Sequence, residues 1–153
     1  MMDMSLRLLR WTVHATAFTL LVVAVLTALR EDRVAVAVGG MLLGLAYAAG
    51  FAIEGRRVWL GSVTAGWVVL AVAAPPFVWL AFPLLFSYLH VLPLWGAMFG
   101  VGALTSAAIL AAAWHAGGLT VPLVLGPGVA AVVVTLLALA CRALLAEAGQ
   151  RPE

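Results

Sequence analysis

Apolar residues run along this chain in blocks that have no polar face. Residues 58–141 contain no Asp, Glu, Lys or Arg, whereas a helix on a soluble domain sets an apolar stripe against a charged one. Segments that are apolar all round belong in lipid, and a bilayer core about 30 Å thick takes roughly 20 residues per helical crossing. An uncharged stretch this long predicts several crossings. Membrane-spanning strands fit less well, because they are short and alternate with a polar face. A helix satisfies its own backbone hydrogen bonds in hydrocarbon.

Breaks in the pattern predict six helices. The first covers 11–29 and ends at Arg30, Glu31, Asp32 and Arg33; the second covers 34–53 and ends at Glu54, Gly55, Arg56 and Arg57. The third, 58–74, stops at Pro75 and Pro76, since a proline disfavours helical geometry in the residue before it. The fourth covers 77–92 with Pro93 at its turn, and the fifth, 94–115, is closed by Gly117 and Gly118. The sixth covers 120–148, with Thr120 as N-cap, Pro122 in the first turn, and Gly149 and Pro152 as terminators. The predicted fold class is all-α: a polytopic six-helix transmembrane bundle forming one domain over residues 1–153. The third and fourth segments stand at the short limit of a crossing, and a re-entrant fourth segment would leave five spans.

Arginine placement decides between five spans and six. With six spans and both termini cytoplasmic, Arg7, Arg10, Arg56, Arg57, Arg142 and Arg151 lie inside and only Arg30 and Arg33 outside, the asymmetry of the positive-inside rule. Five spans would move Arg142 and Arg151 outside and erase the bias. Trp11, Trp59, Trp79, Trp95 and Trp114 fall near predicted helix ends, where indole rings favour the headgroup zone; Trp67 alone is mid-helix. The reading is a multi-pass protein of the inner (cytoplasmic) membrane with the lipid bilayer as its principal partner.

Composition agrees, at 66% hydrophobic and 9% charged, against roughly 25% charged in soluble domains. All eight basic residues are Arg and stand between or outside the apolar segments, so the basic balance marks topology and no nucleic-acid partner is expected. The apolar run 11–29 exceeds a signal-peptide core of about 7–15 residues and lacks a small-residue cleavage site, which makes it an uncleaved first span.

Candidate chemistry is sparse. There is no phosphate loop, no zinc spacing and no nucleophile elbow, so no catalytic residue, metal ligand or cofactor is assigned. Cys141 has no partner for an internal disulfide and reads as a small apolar residue near a membrane face. In the six-span arrangement His14 and His90 share a leaflet, and Glu54 and Ser87 stand near enough to join them in a polar cluster. Functionally, such a cluster is a proton-sensitive or metal-binding sensing site, a bis-His haem included. Structurally, each imidazole bonds a backbone carbonyl, a headgroup or water. His115, beside Trp114, reads as interfacial. Pro83 and the Gly126-Pro127-Gly128 triplet are candidate hinges, because a proline removes a backbone donor and invites a kink. The pairs Gly40/Gly44 and Gly96/Gly100 have the small-xxx-small spacing of close helix contact, within one chain or between two.

The stretch FVWLAFPLLFSYLHVLP, 77–93, followed by a long apolar helix and by GGLTVPLVLGPGVAAVVVTLLALACRALLAE, 117–147, resembles the membrane input region of actinobacterial sensor histidine kinases of the DesK or NarX/LiaS-like type. The likeness covers the C-terminal half, with the first three helices similar in general pattern. It implies a homodimer whose last helix passes a signal to a kinase core and thence to a response regulator. The chain departs from the family in its output: no histidine sits in a charged phosphoacceptor segment, and no ATP-binding motif follows. The expectation is a sensory module without its kinase, not itself an enzyme; a small transporter or an accessory scaffold subunit are the alternatives.

Overall fold

The computed structural model describes residues 2–50, 52 and 54–149. Among them there is no strand. Helices α1 (Met2–Arg30), α2 (Val34–Ala49), α3 (Arg56–Ala73), α4 (Ala81–Val91), α5 (Leu94–Ala116) and α6 (Val121–Gly149) account for nearly all of the chain, and a 3₁₀ turn, Pro75–Leu80, leads into α4. Three stretches are long and apolar enough to cross a membrane, Arg7–Arg30, Leu94–Ala116 and Val121–Gly149. Large apolar side chains such as Val38, Leu42 and Leu45 on α2 and Val69 and Val72 on α3 also face outward. The all-helical class and the membrane character predicted from the apolar blocks are present.

Helix ends follow backbone chemistry. α1 begins well before Trp11, since residues 2–10 offer no proline or glycine to stop a helix. α2 ends at Ala49, short of the expected Ile53; Phe51 and Ile53 lie outside the described residues, as do Arg151 and Pro152. α3 starts at Arg56 and stops one residue early because Ala74 precedes Pro75 and is extended (φ −146°, ψ 132°). Leu92, before Pro93, is extended likewise (φ −96°, ψ 154°), and closes α4. Gly117 takes a left-handed conformation (φ 74°) and the N–H of Gly118 returns to the Ala113 carbonyl at 3.0 Å, the glycine stop expected of α5.

The greatest departure is in the fourth segment, expected as a plain helix over 77–92. It starts two residues earlier, and the 6 residues Pro75–Leu80 are 3₁₀, seeded by two prolines whose missing N–H groups cost nothing in a first turn. The tighter coil rises about 2.0 Å per residue against about 1.5 Å in an α-helix. With α4 the segment therefore reaches roughly 28 Å, close to a bilayer core of about 30 Å. It is also the centre of the molecule. The 3₁₀ turn packs on α1, α3 and α5, and α4 packs on α1, α3, α5 and α6. Phe77, Leu80, Ala81, Leu84, Leu85 and Leu89 are all buried.

Neighbouring helices meet through small residues and a few polar ties. A methyl group on Gly40 would stand 2.8 Å from Phe77 Cζ and from Val25 Cγ2, and one on Gly100 would run into the Tyr88 ring. Gly40/Gly44 thus packs within the chain. Trp67 Nε1 donates to the Phe77 carbonyl at 2.8 Å, fixing α3 to the 3₁₀ turn. At one end of the molecule Arg33 donates to the Ala73 carbonyl at 2.7 Å and His115 Nε2 to the Ala71 carbonyl at 2.8 Å. The opposite end, where Arg10, Trp59, His90 and Arg142 lie, is called here the Arg10 end.

Candidate functional site

At the Arg10 end, side chains from α1, α2, α3 and α4 enclose a cavity of about 70 Å³. Helical spacing supplies them in stacked pairs, because residues four apart share a face. On α1 these are Arg10 and His14; on α4, Phe86 and His90, whose rings stack at 6.2 Å and 9°. Ser87 and Val91 stand beside them, Tyr47 comes from α2, Arg56 and Trp59 from α3, and Gly50 from the link between α2 and α3.

Tyr47 ties the cluster together. Its hydroxyl is 3.0 Å from His14 Nδ1, the phenol donating when Nδ1 carries no proton and accepting in the other tautomer. Phe18, one turn beyond His14, meets the Tyr47 ring edge-on (5.8 Å, 83°), and Trp59 covers it at a tilt (5.8 Å, 47°). Trp59 is itself anchored, since its Nε1 donates to the Ala46 carbonyl near the end of α2 at 2.6 Å. Gly50 is glycine because any β-carbon there would collide with the Trp59 indole. Ser87 donates to the Pro83 carbonyl at 3.1 Å and lines the same cavity as Tyr47.

α6 closes the same end. The Arg142 guanidinium donates to the Leu89 and Leu92 carbonyls, the latter at 2.8 Å. These carbonyls lie in the last turn of α4 and just past it, where helix C-termini lack intrahelical donors. A second cavity, about 320 Å³, lies between α1, α4 and α6 and is lined by Arg10, Phe86, His90, Cys141 and Arg142 among others. His90 thus faces both cavities, within electrostatic reach of Arg10, Arg56 and Arg142.

Three of the four residues expected to cluster, His14, Ser87 and His90, do stand together. Glu54 is exposed on the link between α2 and α3 and is not among the described residues that line the cavity. Its backbone carbonyl accepts from the Arg56 N–H at 3.0 Å. His14 Nδ1 is engaged by Tyr47, and among the described residues no group of three or more His, Cys, Asp or Glu side chains is placed to hold a metal ion. Tyr47, Trp59 and the arginines complete the site. For Arg10, Arg56 and Trp59 the signal in the sequence is position, within a turn of a predicted helix end on the Arg-rich side; Tyr47 and Arg142 stand six residues inside theirs and carry no such signal.

The candidate hinges lie elsewhere. Pro83 stands in the first turn of α4, buried against α1, where the missing N–H is harmless. Pro127 is inside α6 and leaves the Leu123 carbonyl without its intrahelical donor. Leu123, Gly126 and Pro127 line a cavity of about 120 Å³ together with Thr105 of α5. Thr105 Oγ1 is buried there with no hydrogen-bond partner.

No protein-family model matches this chain, and comparison with curated proteins and with solved structures returns no match either.

Proposed function

We propose that this chain is a multi-pass signal-input module of the inner membrane, with both ends cytoplasmic, whose output is the position of α6. The observation that carries the reading is the Arg142 tie: a charged side chain at the end of the last apolar stretch grips the Leu89 and Leu92 carbonyls, on either side of His90 at the end of α4. Any change in the polar cluster that moves α4 is passed to α6. Among described residues, Arg7, Arg10, Arg56, Arg57 and Arg142 belong to one end and Arg30 and Arg33 to the other, which supports a cytoplasmic Arg10 end. The apolar faces of α2 and α3 and the roughly 28 Å reach of the central segment support six spans over five. The proposal assigns no catalysis to this chain. A kinase core, a response regulator and a second copy of the chain are the partners it would need, as the family resemblance implies.

A solute pathway is the weaker reading, because the middle of the molecule is filled by Trp67, Phe77, Leu84 and Leu85 and ion or polar pathways are built from polar groups at depth. The test has two parts. Reporter fusions at the C-terminus and in the 31–33 link should report cytoplasm and exterior respectively; an external C-terminus removes the proposal. Arg142→Gln should then raise the rate at which a thiol reagent labels the adjacent Cys141 by about tenfold, the equivalent of ~1.4 kcal/mol of lost docking. An unchanged rate would mean that the tie does not hold α6.

A further inference from the structure

Two cavities and a groove at the Arg10 end share one residue. Arg10 lines the 70 Å³ cavity beside His14 and Tyr47, the 320 Å³ cavity beside Arg142, and an open groove along the outer face of α1. Around its guanidinium four helices bring Arg7, Arg56, Arg142, His14 and His90 to the same linings. Among the described residues that line them there is no Asp and no Glu. The one acid on the nearby link, Glu54, is exposed and outside the lining.

Guanidinium groups gathered this closely repel one another and, beside hydrocarbon, are poorly hydrated. Glu54 and Glu147, the described acids at this end, are exposed and outside these linings, so the cavities themselves offer the guanidinium groups no countercharge and leave room for an anion from outside. Geometry narrows its kind. A guanidinium has five N–H donors in a planar fork suited to phosphate oxygens. Arg142 spends one nitrogen on the α4 carbonyls, which orients the fork and leaves its other donors available. Immediately beside the charges the walls turn apolar: Trp11, Ala15 and Phe18 along α1, Cys141 and Leu145 along α6. Charge at the rim and hydrocarbon along the walls fit a molecule that is anionic at its head and apolar below it. Basic pockets between membrane helices hold lipid headgroups in this way.

We propose that the Arg10 end is a binding site for the phosphodiester headgroup of an anionic membrane lipid, held between Arg10, Arg56 and Arg142. This rests on the membrane reading above and deepens it, because the ligand would sit against both His90 and the Arg142 tie.

The test uses the full chain purified in a neutral detergent. Thermal unfolding is followed with added phosphatidylglycerol, phosphatidylcholine or inorganic phosphate, and native mass spectrometry counts the lipids retained. Phosphatidylglycerol should raise the unfolding temperature and remain bound, and phosphatidylcholine should not. Each arginine near an anionic headgroup is worth about fivefold in affinity, so Arg10→Gln/Arg56→Gln should weaken phosphatidylglycerol binding about 25-fold. Arg30→Gln, at the opposite end, should leave it unchanged. Equal retention of the two lipids, or a preference that survives the double substitution, overturns the proposal. Equal stabilisation by inorganic phosphate overturns the lipid and assigns the site to the free anion. Binding is read on the isolated chain, so it stands or falls separately from the reporter and labelling results that test signalling.

Discussion

Trp67→Phe isolates a fully buried tie between α3 and the central segment. Trp67 is 0% exposed, as is Phe77, and the indole N–H is 2.8 Å from the Phe77 carbonyl. The substitution leaves that carbonyl one donor short, at a cost of about 1–3 kcal/mol in a protein interior but nearer ~0.6 kcal/mol by the average measured between membrane helices. It also removes part of a fully packed ring. Complete truncation of Trp or Phe costs about 3–5 kcal/mol, so trimming indole to phenyl is worth roughly 1 kcal/mol more. The expected loss is about 2 kcal/mol. Trp79→Phe, 59% exposed on the same central segment, should cost less than about 0.5 kcal/mol. Reversible unfolding in mixed micelles of dodecyl maltoside and SDS, followed by far-ultraviolet circular dichroism, measures both without relying on tryptophan emission. Equal losses for the two variants would refute the claim that the 3₁₀ turn is held from α3.

Gly40→Ala should destabilise by about 1–3 kcal/mol in the same assay, because the new methyl meets Phe77 and Val25 at 2.8 Å. Gly102→Ala in α5, with nothing within 4 Å of the added carbon, should stabilise by about 0.5–1 kcal/mol; reversed signs would mean that the helix packing is misassigned. Thr105→Val replaces a buried hydroxyl that has no partner and should leave stability unchanged or raise it by about 1 kcal/mol. A loss beyond about 1 kcal/mol would show that the hydroxyl is satisfied. Tyr88→Phe removes the 2.9 Å bond between the Tyr88 and Thr64 hydroxyls and should cost ~0.6 kcal/mol, a loss that Thr64→Val should reproduce without adding to it in the double variant.

Much of the architecture was legible because membrane helices announce themselves by what they lack. The uncharged blocks located α5 and α6 to within a residue, and prolines and Gly117 placed the stops. The first start was missed because Arg7 and Arg10 read as flanking charge, although arginine is a good helix former and nothing before Trp11 breaks a helix. The 3₁₀ turn was missed for a different reason. Pro75-Pro76 dictates a break and seeds the coil that follows, but its seat against α3 rests on a tertiary bond from Trp67, and that bond spans 10 residues of sequence. In the candidate site, helical period and span direction together put His14, Ser87 and His90 at one end. Tyr47 needed the register of α2 against α1, and the arginines were read as topology markers, which conceals any second role as ligands.

That double role follows from the physics of the membrane boundary. Arginines concentrated at one end of a membrane protein favour the cytoplasmic side. Arginines of the Arg10 end come within electrostatic reach of His90 from α1, α3 and α6. At the opposite end the polar groups go into structure instead: Arg33 bonds the end of α3, and His115 bonds it one turn earlier. The two ends therefore differ in what their cations do. At the end opposite Arg10, Arg33 and His115 are engaged by backbone carbonyls of the chain itself. At the other, Arg142 is so used among the described residues, and Arg10 and Arg56 face cavities whose described linings offer no acid, so the Arg10 end is where the proposed anionic ligand would act.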